Sequence, residues 1–330
     1  MSEAIKIGTH SGNFHCDEVL AIFLLKQLPK YKNASIVRSR EISILNTCDI
    51  VVDVGGKYDH ATKRYDHHMK DFKETANTVL NTNEYDPKIK LSSAGLIYCH
   101  YGHEILKNVI TEVISDSDID IIFKKIYNSL IKEIDATDNG LPMCDGEPAY
   151  RIVTGLSSRV ARFNPRWNQK GQDENIQFSK AVEYVGEEFM EFVQYNVNIW
   201  LPARTIVKNA IEKRFEVDPS GEIILLEPFC PWTEHLFDLE KELNIETPLK
   251  YVIFENTNFN VQCVPVAPGS FICRLFLPEA WAGLREEALV KACGIDNAVF
   301  VHAVRFIGVN KTKEGILEMA RKSLQTGKSQ

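Results

Sequence analysis

The residues able to do chemistry fall into four short stretches. His10, His15 and Asp17 open the chain, Asp53 closes an apolar run, Asp66-His67-His68 are consecutive, and Asp135 and Asp138 precede Asn139-Gly140. Imidazoles and carboxylates without thiolates suit Mn²⁺, Mg²⁺, Co²⁺ or Fe²⁺ better than structural zinc. Six or seven such donors exceed what one catalytic ion with open positions needs. Two ions about 3.5–4 Å apart, bridged by a carboxylate, would use them, and phosphoester hydrolysis is the reaction that most directly needs such a pair. Taken singly, Asp53 reads as a turn residue and Asp135 or Asp138 as polar groups at a helix end. Asp-His-His beside His-x₄-His-x-Asp is much harder to explain as surface decoration.

Those residues must be brought together by the elements around them. Residues 5–10 read as a strand, followed by a turn at Gly12 and a helix over about 17–27 that Pro29 stops. Residues 35–37 and 49–54 read as further strands, the second with the apolar pattern of a strand covered on both faces. Ser92-Ser93 can cap a helix over about 94–101, and 117–134 carries Ile121, Ile122, Ile126, Leu130, Ile131 and Ile134 at helical spacing. Strands alternating with helices predict an α/β fold with a mostly parallel sheet. In such a sheet ligands bind beyond the carboxyl ends of the strands, where His10 and Asp53 fall.

Residues 176–214 read as one kinked helix or two, broken near Pro202. Beyond them, strands over 222–226, 251–255, 261–266 and 298–302 interleave with helices over about 233–243, 285–293 and 313–324, a second and smaller α/β domain. The polar tail 325–330 is expected to fray. The expected organisation is a metal-binding catalytic domain with its connector helix over 1–205 and a substrate-binding α/β domain over 215–330.

Composition agrees with two domains of roughly 150 residues, since the chain has 330 residues, 44% hydrophobic and 25% charged. No run approaches the ~20 apolar residues of a membrane helix, so no membrane partner is expected. Eight scattered cysteines without a Cys-x-x-Cys pair argue against a disulfide framework and for a reducing compartment. Residues 1–6 show neither an apolar signal core nor an Arg-rich leader, which favours cytoplasm or nucleus and leaves a mitochondrial location open. The net charge is -7. A globally basic nucleic-acid coat is therefore excluded, and a polyanion must be met by a local patch or by metal.

The motifs resemble a known family. Asp66-His67-His68 is similar to the signature of the DHH phosphoesterase superfamily, which includes RecJ-type exonucleases and family II inorganic pyrophosphatases. Thr9-His10-Ser11-Gly12-Asn13-Phe14-His15-Cys16-Asp17-Glu18, Asp53-Val54-Gly55-Gly56-Lys57-Tyr58-Asp59, Arg64-Tyr65-Asp66-His67-His68 and Ile134-Asp135-Ala136-Thr137-Asp138-Asn139-Gly140 look like its Myg-type (melanocyte proliferating gene product) branch. The likeness continues through Phe163-Asn164-Pro165-Arg166-Trp167-Asn168, Leu277-Pro278-Glu279-Ala280-Trp281-Ala282-Gly283-Leu284-Arg285 and Phe300-Val301-His302-Ala303, so it covers essentially the whole chain.

The resemblance implies a 3′-to-5′ exonuclease acting mainly on RNA through water activated by two divalent ions, two Mn²⁺ foremost. It implies a DHH domain facing a smaller C-terminal domain across the active cleft. His10, His15 and Asp17 would be ligands, with His15 where other branches carry Asp. Asp53 would bridge, His67 would be a further ligand, and Asp135, in preference to Asp138, the last. His68 would contact phosphate or support the ligands from behind, and His68 and Asp66 are the candidate catalytic residues. Where the family reads Gly-Phe-Ile-Gly-Gly, this chain has Arg305-Phe306-Ile307-Gly308-Val309, which trades backbone freedom for a cation.

Residues 151–170 hold Arg151, Arg159, Arg162, Arg166 and Lys170 with no acidic residue, interleaved with Phe163 and Trp167. Arginines grip phosphates and an aromatic face stacks on a base, which fits single-stranded RNA or an oligonucleotide. The competing reading is a solvated basic face with both aromatics in the core. Arg285, His302 and Arg305, with Arg274, are the candidates in the second domain. Two other functions compete: a phosphoesterase for a small substrate (pyrophosphate, a short oligonucleotide or a cyclic dinucleotide), and an inactive RNA- or protein-binding scaffold. The scaffold would be marked by broken ligands, and none is broken.

Overall fold

A computed structural model describes residues 4–168 and 171–328; Lys170 of the basic stretch, residues 1–3 and residues 329–330 of the tail lie outside the described residues. The chain divides into two compact units, Met1–Val197 and Asn198–Gln330.

The first unit is built on strands β1 (Lys6–Thr9), β2 (Ser35–Arg38), β3 (Ile50–Val52), β4 (Tyr58–Asp59) and β5 (Arg64–Tyr65) in the order β2-β1-β3-β5-β4. Every neighbouring pair is parallel except the short β4–β5 hairpin. This is the mostly parallel sheet expected of an α/β fold. The chain leaves β1 for β2 on one side and then crosses to β3 on the other, so the β1–β3 border is a switch point, where the carboxyl ends open a crevice. The helix Cys16–Lys26 buries Val19, Leu20, Ala21, Ile22, Leu24 and Leu25. Apolar on nearly every side, it packs against the helices Ser93–Val109 and Glu174–Tyr195 and forms the middle of this core.

A single helical run spans Asp116–Ile126, a π-helical turn over Tyr127–Ile131, and Lys132–Asp138. It starts at the Ser115 cap, whose hydroxyl accepts from the Asp118 amide, and it carries Asp135 and Asp138 on its last turns rather than beyond its end.

The second unit holds β6 (Ile223–Leu226), β7 (Tyr251–Glu255), β8 (Phe259–Cys263), β9 (Ala298–Val301) and β10 (Ile307–Asn310) in the order β6-β7-β8-β10-β9. Only β6–β7 is parallel, so this sheet is mixed. Alternate strand residues feed two cores, as the twofold period of a strand requires. Ile223, Tyr251 and Ile253 pack with Trp281, Leu289 and Met319, while Ile224, Val252 and Phe254 pack with Val207, Ile211, Trp232 and Leu236. Ala203, Val207 and Ile211 therefore belong to the second unit, and the division falls at the π-helical turn Asn196–Trp200, just before Pro202, instead of over 205–215. Residues 325–328, expected to fray, continue the helix Lys313–Lys328. Among the described residues no helix is long and apolar enough to cross a membrane.

Candidate metal centre

His10 follows β1 and Asp53 follows β3, so adjacent parallel strands deliver both to one crevice. Asp53 has φ 58°, a left-handed conformation that side chains other than glycine adopt mainly where the surroundings enforce it. Its amide donates to the Tyr65 carbonyl at 3.0 Å. This turn aims the carboxylate between two imidazoles: Oδ2 lies 3.3 Å from His10 Nε2 and Oδ1 lies 3.1 Å from His67 Nε2. His67 Nε2 is also 3.1 Å from Asp138 Oδ2 and 3.7 Å from Asp17 Oδ2, while His10 Nε2 is 3.0 Å from Glu18 Oε1.

Donor atoms gather within 4.8 Å of one another in three sets: His10, His15, Glu18 and Asp53; Asp53, His67 and His68; and His15, Asp17 and Asp138. Asp53 and His15 each serve two sets. Two cavities open onto them. One of about 290 Å³ is lined by His15, Asp17, Thr137, Asp138 and Ser157, and one of about 260 Å³ by His10, His15, Arg40, Asp53, Asp66 and His68.

The electrostatics are those of crowded anions. Asp17 is fully buried, and its Oδ1 has no hydrogen-bond partner among the described residues. Burial, then the charges of Asp53, Asp138 and Glu18, push its carboxyl well above the usual range. Burial alone would raise Asp53 too, but hydrogen bonds from His10 and His67 hold it well below. Burial alone would lower the two imidazoles; Asp53 and Glu18 around His10, and Asp138 and Asp53 around His67, raise both to about 10. Carboxylates converging on shared imidazoles, one with a buried oxygen lacking a partner, form a donor set that fits hard or borderline divalent cations.

The structure brings His10, Asp17, Asp53 and His67 together, with His15 exposed at the cap of the helix Cys16–Lys26. The last two carboxylates meet different partners. Asp135 Oδ1 accepts from the Ser92 amide at 2.9 Å and the Ser92 hydroxyl at 2.7 Å, and Tyr127 donates to Oδ2. Asp135 is thus consumed in tying the start of the helix Ser93–Val109, and Asp138, one turn later, faces His67. Ser92 stands at the expected cap position, but its hydroxyl donates to Asp135 instead of accepting from the helix.

Asp66 accepts from the Gly56 amide through Oδ2 and from the His68 amide and, at 2.8 Å, faces His68 Nδ1 through Oδ1. It therefore positions His68, whose side chain is 61% exposed, and also lines the cavity of about 260 Å³. Glu18 was not anticipated. A Glu three residues after a cap reads as a capping partner, and it does accept from the His15 amide, yet one of its oxygens also reaches His10.

The basic stretch divides in use. Arg159 donates to Tyr184 and pairs with Glu188, and Arg162 donates to the Val153 carbonyl. Phe163 rests half-buried on Tyr184, whereas Trp167 is 97% exposed with Arg166 beside it, so Trp167 is no core residue. Asn164 bonds both the amide and the carbonyl of Phe14, which fixes this segment beside the His10–Asp17 loop. In the second unit Arg285 stacks on Phe300, His302 Nδ1 accepts from the Val304 amide, and Arg305 donates to the Leu277 carbonyl. Arg305 has φ 62°, the conformation a glycine there would adopt freely. Arg274 is paired with Glu240.

A model of the MYG1 exonuclease family, described as "Uncharacterised protein family (UPF0160)", matches residues 6–324. The rat MYG1 exonuclease (Rattus norvegicus) is 48% identical over 323 residues, covering 97% of this chain and 84% of its own length. The human MYG1 exonuclease (Homo sapiens) is 47% identical over 323 residues, 97% of this chain and 85% of its own. A MYG1 protein of Caenorhabditis elegans is 47% identical over 327 residues, 97% of this chain and 95% of its own. With the match running from β1 into the last helix, this chain belongs to the MYG1 exonuclease family.

Proposed function

We propose that this chain is a metal-dependent phosphodiesterase of DHH type, a 3′-to-5′ exonuclease that shortens single-stranded RNA. The observation that carries the reading is Asp53, one carboxylate oxygen toward His10 and the other toward His67, with Glu18 beside the first imidazole and Asp17 and Asp138 beside the second. That set would hold two divalent ions, His10, His15, Glu18 and Asp53 on one side and Asp17, Asp53, His67 and Asp138 on the other. Bound there, such ions lower the pKa of water and neutralise charge on phosphoryl oxygens. The exonuclease names of the relatives support the reaction class; polarity, RNA preference and DHH type rest on the motif resemblance.

The protein's own groups supply the rest. Asp66 keeps the His68 ring oriented through Nδ1 and raises its pKa, so that a proton held on His68 can meet a phosphate oxygen or the departing 3′-oxygen. The left-handed turn at Asp53 holds its carboxylate in place before substrate arrives, so no reorganisation is needed at the moment of reaction. Trp167 and Arg166 lie on the segment that Asn164 fixes beside the crevice, a platform for stacking a base and gripping the following phosphate.

The test is a 5′-labelled single-stranded RNA. Chelator-treated protein should leave it intact, and Mn²⁺ should restore stepwise shortening from the 3′ end. Full-rate degradation after chelation would contradict the metal requirement. Cleavage of dinucleotides or pyrophosphate with longer RNA untouched would replace the exonuclease reading by the small-substrate one.

A further inference from the structure

We propose that Arg40 is a substrate-contacting residue that grips a phosphate oxygen in the cavity it shares with Asp53 and His68; this rests on the phosphoester reading above. Arg40 lies two residues beyond the end of β2, which pairs with β1, and so sits at the same sheet end as His10. Its Nε donates to the Ser11 carbonyl at 3.1 Å and its Nη2 lies 3.2 Å from His10 Nδ1. Among the described residues Nη1 has no hydrogen-bond partner and the guanidinium pairs with no carboxylate. One edge of the fork is therefore fixed on the loop that carries His10, and the other is left for a ligand.

The neighbouring arginines are committed elsewhere. Arg38 is buried against the rings of Phe14 and Phe178 and donates to the Gly12 carbonyl. Arg159 and Arg162 are held by Tyr184, Glu188 and the Val153 carbonyl. Among the described residues lining the two cavities, Arg40 alone carries a guanidinium or ammonium. An anion entering beside Asp53 and Asp66 meets carboxylates, and the guanidinium that lines the same cavity offsets the repulsion while its Nη1 offers a charge-assisted hydrogen bond to a phosphate oxygen. The sequence gives no sign of this, since Arg40 lies outside both the basic stretch and the histidine motifs.

Full-length protein loaded with Mn²⁺ is titrated with inorganic phosphate in a calorimeter, as wild type, Arg40→Gln and Arg40→Lys, with separate Mn²⁺ titrations of each. Arg40→Gln should weaken phosphate binding about 10- to 100-fold, the loss expected for a charge-assisted contact, with Arg40→Lys between. Mn²⁺ affinity should stay within about twofold of wild type, and KM for single-stranded RNA should rise more than kcat falls. Arg40 is exposed, so circular dichroism should show both variants folded. Phosphate binding equal in wild type and Arg40→Gln, or detectable in neither, overturns the proposal. So does a parallel loss of Mn²⁺ affinity, which would make Arg40 a support for His10. Phosphate binding that depends on Arg40 in a protein that leaves RNA intact would retain the site and overturn the exonuclease reading alone.

Discussion

Asp135 and Asp138 share a helix, a residue type and a face, and differ only in which neighbour each meets. Residues three apart lie one above the other on a helix, so spacing in the sequence cannot choose between them. The choice is made by Ser92, which saturates Asp135, and by His67, which reaches Asp138. Asp138→Asn should lower Mn²⁺-dependent turnover on the order of 100-fold or more, at least the loss seen when groups supporting a metal ligand are removed, with little change in unfolding midpoint. Asp135→Ala should do the reverse. It strands the buried Ser92 amide and hydroxyl, costing about 1–3 kcal/mol in urea unfolding, while Mn²⁺ affinity persists. His10, Asp17, Asp53 and His67 were legible because strand ends and a compact motif mark them. Glu18 was not, because a capping role already explains a Glu at its position.

At the scale of elements, the helix Ser93–Val109 is the joint of the site. Its first amides and hydroxyls serve Asp135, Asp17 and the Tyr65 carbonyl, placing the positive end of the helix dipole toward buried carboxylates. That closeness requires Gly95, where a Cβ would run into the Asp135 carboxylate. Gly95→Ala should therefore destabilise by about 1–3 kcal/mol in spite of alanine's better helix propensity, as overpacking does.

The same helix holds the β4–β5 hairpin, through the Tyr58 hydroxyl 2.8 Å from His100 Nε2 and the His60 and His100 rings stacked at 3.8 Å. Burial and then His60 lower His100 from 6.5 to about 4. The unfolded chain takes up that proton first, so the contribution of neutral His100 is present above pH 6.5 and lost as pH falls toward 4. Denaturation midpoints across that range should fall less steeply with acid in His100→Gln than in wild type. Strands of two residues, like β4 and β5, leave no alternating pattern to read. The helical run Asp116–Asp138 was read over 117–134, through its π-helical turn, and its last turn was missed because the apolar spacing ends at Ile134.

Over the whole molecule, a net charge of -7 and a nucleic-acid substrate are compatible only through local cations and metal. The described arginines exposed in the stretch 151–168 are Arg151, Arg166 and Arg162, the last already donating to the Val153 carbonyl, and Arg40 stands at the crevice. Three or four phosphate contacts give a slope of log affinity against log salt of about -2 to -3 for a single strand. A slope steeper than about -5 would require a wider basic surface than these residues form. The α/β class and the parallel first sheet were readable from alternating strands and helices. The mixed second sheet was not, because the four residues of β10, 307–310, were not read as a strand and the antiparallel pairs they make with β8 and β9 went unseen.

Donors distant along the chain meet around Asp53, where paired cations would be held. Anomalous scattering at the manganese edge from crystals grown with Mn²⁺ measures this directly. Two peaks sharing the Asp53 carboxylate are expected, one beside His10 and Glu18 and the other beside Asp17, His67 and Asp138. A single peak, none, or a shell that includes Asp135 would contradict it.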